Sequence, residues 1–314
     1  MKKIAFIIPY FGKFNNYFQL FLNSCAYNED IADWLIFTDD RTAYDYPQNV
    51  HIFYTDFDSL KSSFQKKFNF EIRLERPYKL CDLKPMYGYL FEDYLTSYEY
   101  WGHCDTDLIW GKISDFIELE TISERKLFQL GHCTIYKNDY ETNRLFLSPL
   151  NGVERAKQVL QNEQNCSFDE EYKNSINNIF ESLSIPIYKE SFEANIYTKS
   201  SFFRIVKLQN NHTYKIEKVK HALFLWKQGN LQRYVFSKHN RIEVERYMYI
   251  HMQSRRMKIA DNLNQDEYKI IPNIFANANS KNIVSEKWYS INLHYFKLRT
   301  KNLYLKIQKR FHRK

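Results

Sequence analysis

Asp105 and Asp107, separated by a single residue, are the side chains of this sequence best placed to do chemistry. They lie in YEYWGHCDTDLIWGKISDF, residues 98–116, with Gly102 and Gly111 on either side. Two carboxylates this close repel each other unless a cation stands between them. Acidic, oxygen-rich sites suit Mg²⁺ or Mn²⁺, and such ions are usually shared with substrate phosphates. The pair therefore reads as a divalent-metal and diphosphate site. An Asp-x-Asp by itself is also a common surface turn; here the preceding apolar run and the bracketing glycines favour the metal.

Positioning such a pair takes a sheet. Residues 98–103 predict a buried strand ending in the acidic turn, at the carboxyl edge where open α/β sheets bind ligands. Residues 3–9 predict an earlier β-branched strand that stops at Pro9, Tyr10, Phe11 and Gly12. A helix is expected over 16–26, a second strand over 34–37 ended by Thr38, Asp39 and Asp40, and a third over 51–54. This β-α-β opening calls for parallel strands and right-handed crossovers. It lacks both Gly-x-Gly-x-x-Gly and a Gly-Lys-Ser/Thr phosphate loop, so a nucleotide bound here would need a metal to neutralise its phosphates.

Residues 78–98 predict one helix, with Met86, Tyr87, Leu90, Phe91, Tyr94 and Leu95 on its apolar face. Pro85 suits its first turn and Asp82 could cap it, which puts Asp82 and Lys84 where an anion or a sugar hydroxyl is met. Strands are expected over 127–136, 142–147 and 202–208, a helix over 152–161, and a hairpin over 222–236 turning at Gln228, Gly229 and Asn230. Residues 243–257 read as a basic helix, or a strand running into one. His103 and His132 read as hydrogen-bonded strand ends, Trp101 and Trp110 as core, and Cys104 as a small buried filler.

Composition narrows the class. With 44% hydrophobic and 18% aromatic residues the chain is not disordered, and 314 residues allow a sizeable core. The net charge of +8 is uneven: residues 287–314 hold nine Lys or Arg and no acid, leaving −1 for the rest. A near-neutral body with a basic tail speaks against a nucleic-acid partner. The five cysteines are scattered, with no Cys-x-x-Cys, which suggests neither zinc nor a disulfide framework and fits a reducing cytoplasm. The apolar run of MKKIAFIIPYFG is short and no cleavage site follows, so it does not read as a signal peptide.

With Thr38-Asp39-Asp40, Asp82/Lys84 and Asp105/Asp107 in this order, the sequence resembles GT-A-fold glycosyltransferases. The run YKLCDLKPMYGYLFEDYLTSYEYWGHCDTDLIWG is most similar to transferases of bacterial capsular and surface-polysaccharide clusters. The resemblance implies an α/β, Rossmann-like fold with a mixed, mostly parallel central sheet and a carboxyl-terminal basic helical extension. It implies a nucleotide-sugar donor, most often a UDP-sugar, with Mn²⁺ or Mg²⁺ as cofactor. Asp107 would hold the metal, with Asp105 sharing it or facing the ribose. Pro9 to Gly12 and Thr38, Asp39 and Asp40 would line the uridine pocket, and Asp82 and Lys84 would approach the sugar or diphosphate. His251 is the candidate third metal ligand, with Arg255 and Arg256 for phosphate.

For an inverting reaction, Asp169 and Glu170 in the acidic triplet with Glu171 are the candidate bases or acceptor ligands; a helix amino-terminal charge cluster is the plainer alternative. The expected layout is a transferase domain over 1–260, with a donor half over 1–140 and an acceptor half over 141–260, followed by an extension over 261–314. The basic amphipathic tail suits an anionic membrane surface or a helix packed on the body, and the former fits a lipid-linked glycan acceptor. Rival readings are a nucleotidyl- or phosphosugar-transferase using the same turn, and a non-catalytic nucleic-acid-binding protein.

Overall fold

The computed structural model describes residues 3–170, 173–209, 212–236, 241–291 and 293–311. Glu171 and the last three residues of the basic tail lie outside them. The fold is α/β with a mixed, mostly parallel central sheet, as expected, and the carboxyl-terminal helix spans Leu293–Phe311. The chain forms two compact units that interleave in sequence. One holds Met1–Phe14, Asn28–Thr106 and Ile117–Ser191; the other holds Asn15–Tyr27, Asp107–Phe116 and Phe192–Lys314.

The first unit is built on a seven-stranded sheet. Its order is Val50–Tyr54, Ala32–Thr38, Ile4–Tyr10, Tyr100–Cys104, Cys133–Lys137, Lys126–Leu127, Ile187–Tyr188. The first four strands are mutually parallel, and the order reverses on either side of Ile4–Tyr10. The near-continuous burial of Ile4–Tyr10 and Ala32–Thr38 is what a parallel strand covered on both faces requires. The carboxyl ends of Ile4–Tyr10, Ala32–Thr38 and Tyr100–Cys104 therefore share one edge at a topological switch point. Trp101 lies in this core, stacked on Tyr136 with ring centroids 4.3 Å apart.

Residues 78–98 do not form one helix. They make a chain of short turns: Pro77–Lys79, Leu80–Leu83, Lys84–Met86, Tyr87–Leu90 and Glu92–Tyr94. Pro85 has no N–H to give and stands inside the segment rather than at its start, so it breaks the ladder there. Gly88 is required by packing, since a Cβ would come 2.3 Å from the Trp101 indole nitrogen. Asp82 makes no cap. The apolar run over 127–136 is likewise divided, into Lys126–Leu127 and the antiparallel Cys133–Lys137. Thr142–Leu147, expected as a strand, is a 3₁₀ helix.

The second unit carries the helix Phe18–Ala26 and a six-stranded sheet ordered Ile242–Arg246, Asn230–Phe236, Ala222–Lys227, Glu267–Ile271, Ile274–Asn277, Lys258–Ile259. The expected hairpin is there, and Gln228 and Gly229 both have positive φ (46° and 78°), the conformation that matches strand twist. Trp226 is core, its indole N–H donating to the Trp110 carbonyl at 2.7 Å. Residues 243–257 contain no helix. Pairing with Asn230–Phe236 draws Ile242–Arg246 into a strand, and a second strand, Tyr249–His251, follows. That second strand is the middle of a three-stranded sheet, between Leu108–Trp110 and Glu193–Asn195.

Candidate functional site

Asp107 directly precedes the strand Leu108–Trp110, and His251 ends the strand paired with it, with His251 opposite Leu108. This register alone brings the two side chains together: His251 Nε2 lies 3.4 Å from Asp107 Oδ1. The other ring nitrogen, Nδ1, is 3.1 Å from the side-chain oxygen of Asn195, the residue opposite His251 on the far strand. With Nδ1–H donated to Asn195, Nε2 presents its lone pair to a carboxylate. That is repulsive unless a proton or a cation stands between them.

Asp107 is held from two further sides. Its Oδ2 accepts the Ser254 backbone N–H, and its carbonyl accepts the Met252 N–H at 3.0 Å. Gln253 and Ser254 turn through positive φ to bring that N–H round. Burial works to raise the Asp107 carboxyl, yet His251 and the Ser254 N–H hold it below the ordinary carboxylate value. Asp105, Asp107 and His251 each offer one ligand atom, and these atoms lie within 4.8 Å of one another. Two hard oxygens with one imidazole fit a divalent cation.

Asp105 is also part of a charged cluster in the first unit. Its backbone N–H donates to the His132 carbonyl at 3.0 Å. Lys84 Nζ stands 2.7 Å from Asp105 Oδ1 and 3.7 Å from Asp169 Oδ2, and donates to the Gly131 carbonyl at 2.8 Å. Burial opposes the lysine charge, but the two carboxylates outweigh it and raise its pKa well above the ordinary value. Burial, with the charges of Glu170 and Asp105 beside it, pushes Asp169 up to about 7 against the pull of Lys84. Exposed Glu170 accepts the Gly131 N–H at 3.0 Å. Gly131 leaves the room this needs, since a Cβ there would lie 2.2 Å from Asp169 Oδ2.

The remaining sequence candidates divide by environment. Gly12 N–H donates to Asp39 Oδ1 at 2.7 Å, which ties the Pro9-to-Gly12 loop to the end of the Ala32–Thr38 strand. Asp40 is buried and satisfied by the Phe14 N–H, by Lys13 and by Thr42; these partners overcome burial and hold it far below the usual range. Thr38 accepts the Asp40 N–H through its hydroxyl at 3.1 Å. Pro9, Tyr10 and Phe11 are half-buried, and Gly12 and Asp39 are exposed.

Asp82 is fully buried. It takes the Lys79 ammonium at 2.7 Å and the backbone N–H groups of Cys166 (2.8 Å) and Phe168 (3.2 Å). It thus fixes the segment that leads into Asp169. Arg255 is buried over the Phe203 ring and donates to Asn273 and to the Ser200 carbonyl, while Arg256 is exposed. His103 is buried, and burial together with Lys84 and Lys126 keeps its pKa well below the ordinary imidazole value.

Asn195, the Ser254 N–H, the Lys79 partner of Asp82 and Gly131 do not stand out as site residues in the sequence. Of these only Gly131 carried a signal, as one of seven glycines in the chain.

A family profile described as "Family of unknown function (DUF6625)" matches residues 6–279. No curated protein matches the sequence. Among solved structures, the chain is similar to the apo form of the glycosyltransferase GlyE of Streptococcus pneumoniae TIGR4 (11% identity, TM-score 0.34), over 62% of this chain and 46% of that one. The chain thus spans less than half of GlyE. It is also similar to the galactosyltransferase LgtC bound to donor and acceptor sugar analogues (10% identity, TM-score 0.33, 62% and 75% of the two chains). A third is mouse xyloside xylosyltransferase 1 in its apo form (5% identity, TM-score 0.36, 63% and 88%).

Proposed function

The chain belongs to the DUF6625 family, and we propose that it is a metal-dependent glycosyltransferase of GT-A architecture. In this reading it moves a sugar from a nucleotide-sugar donor, a UDP-sugar first of all, to a hydroxyl of a lipid-linked bacterial surface glycan. The observation that carries the reading is the Asp105, Asp107 and His251 ligand set, just past the carboxyl end of the Tyr100–Cys104 strand. The parallel strand order beside it supports a nucleotide at the same edge.

A divalent cation held by these three residues would supply positive charge against the departing diphosphate. The chain's own residues do the rest. Asn195 sets the His251 tautomer and Ser254 orients Asp107, so the ligands are in place beforehand. Lys84 adds a fixed positive charge where the leaving group develops its negative one. The Gly12–Asp39 tie shapes the edge where the base and ribose would lie. Arg256 is free of the burial that commits Arg255, and is the arginine suited to a phosphate. In an inverting reaction Asp169, raised to about 7, accepts the acceptor hydroxyl proton.

A thermal-shift panel of UDP-, GDP- and CDP-sugars, with and without Mn²⁺, tests the reading, because a ligand that binds only the folded state raises the melting temperature. The expected result is a UDP-sugar shift that needs Mn²⁺ and is lost in Asp107→Ala. A shift that survives in Asp107→Ala removes the metal assignment. Release of pyrophosphate rather than UDP in a turnover assay would make the protein a nucleotidyltransferase instead.

A further inference from the structure

The helix Leu293–Phe311 has two unlike faces. Tyr295, Leu298 and Asn302, three or four residues apart, share one side and are half-buried. Tyr295 meets the Phe202 ring at 6.2 Å, and Asn302 donates to the Lys199 carbonyl, so this is the side turned to the protein. Leu293, Phe296, Leu303, Tyr304 and Ile307 recur at helical spacing on the opposite side, and all are exposed, from 45% at Ile307 to 68% at Leu293. An apolar stripe turned away from the body does not serve the protein's own core.

Charge selects what covers it. The sequence of the helix contains Lys297, Arg299, Lys301, Lys306, Lys309 and Arg310 and no Asp or Glu. At 100° per residue Lys297 and Lys301 flank one edge of the stripe, and Arg299 the other. A second copy of this helix would bring like charges against like charges. An anionic lipid surface offers hydrocarbon to the stripe and negative headgroups to both flanks. No helix among the described residues is long and apolar enough to cross a membrane, so the contact would lie in the interface.

We propose that Leu293–Phe311 is an interfacial anchor that docks the protein on a membrane rich in anionic phospholipid. The assignment stands on the helix alone and does not depend on the glycosyltransferase reading.

The test is co-sedimentation of the full chain with vesicles of phosphatidylcholine alone and of phosphatidylcholine with phosphatidylglycerol, at low and high salt. The expected result is pelleting with the phosphatidylglycerol vesicles only, weakened by salt. Replacing two flanking lysines (Lys297→Gln with Lys301→Gln) should lower the partition on the order of 30-fold, from the usual contribution of each basic residue at such a surface. Leu303→Asp with Ile307→Asp should abolish pelleting. These positions are solvent-exposed, and an unchanged thermal melt would confirm that both variants fold. Equal pelleting with both vesicle types, or wild-type pelleting by the Leu303/Ile307 variant, would overturn the proposal. So would a dimer in sedimentation equilibrium that the same variant dissociates, because the stripe would then be a contact between copies.

Discussion

The Lys84 ammonium stands 2.7 Å from Asp105 Oδ1 while Asp105 is also one of three groups able to hold a metal. With a metal bound, one carboxylate would be shared between a built-in cation and an exchangeable one. Lys84→Met should destabilise the fold by about 2 kcal/mol, less than breaking a fully buried pair costs, because the 34%-exposed Asp105 regains water. Urea unfolding with an unchanged slope measures this. Freed of the lysine, Asp105 should also bind Mn²⁺ more tightly, which calorimetric titration of the same variant reads.

Asn195 touches no candidate metal-binding atom except through the His251 ring. Asn195→Leu should weaken Mn²⁺ binding about 10- to 100-fold, the usual effect of removing an outer partner of a metal-bound histidine. His251→Ala should abolish the Mn²⁺-dependent thermal shift. If His251→Ala keeps the Mn²⁺-dependent shift, the imidazole is not a ligand.

Asp82 and Lys79 are both fully buried, 2.7 Å apart. Asp82→Asn leaves the ammonium without a counter-charge and turns an amide toward two backbone donors. The expected cost is about 4 kcal/mol of unfolding free energy. Because Asp82 also holds Cys166 and Phe168, the variant should lose kcat beyond what its folded fraction explains. Steady-state kinetics at saturating donor, normalised to folded protein, would check this.

Asp169 gives stability a definite pH dependence. Its folded carboxyl titrates at about 7 because burial raises it, while the unfolded chain releases that proton near the ordinary aspartate value of 3.8. Between those two pH values the folded state binds more protons than the unfolded one, so this contribution is complete below the lower value and lost as pH rises through 7. The full loss should amount to about 4 kcal/mol. Asp169→Asn should flatten it in urea melts taken from pH 4 to 8. If Asp169 is the base, the wild-type rate rises over the same window and the asparagine variant loses that limb.

Much of the frame could be read from the chain because its signals are local. The β-branched run at Ile4–Tyr10, the apolar run at Ala32–Thr38 and the Gln228-Gly229 turn each carry their own reason for strand or hairpin. The Asp105/Asp107 pair was legible because its two members are almost adjacent in sequence. Residues 78–98 misled because the three-four spacing of Met86, Tyr87 and Leu90 survives in a string of short turns, where Pro85 and the Trp101 contact at Gly88 override it. Residues 243–257 misled because the partner of Ile242–Arg246 lies elsewhere in the chain and imposes the extended form. The support around the site was illegible for the same reason: Asn195 meets His251 only through strand pairing, and the Ser254 turn has no glycine to announce it.

The missing side chain at Gly131 also orders how this region can drift. A methyl group there would lie 2.2 Å from Asp169 Oδ2, so Gly131→Ala forces the Asp169 carboxyl to shift unless position 169 has shrunk. The two substitutions should therefore be strongly non-additive, with Gly131→Ala far milder in an Asp169→Gly background. Relatives that keep an acid at 169 are therefore expected to keep glycine at 131, and one that has gained bulk at 131 should have given up the acid first.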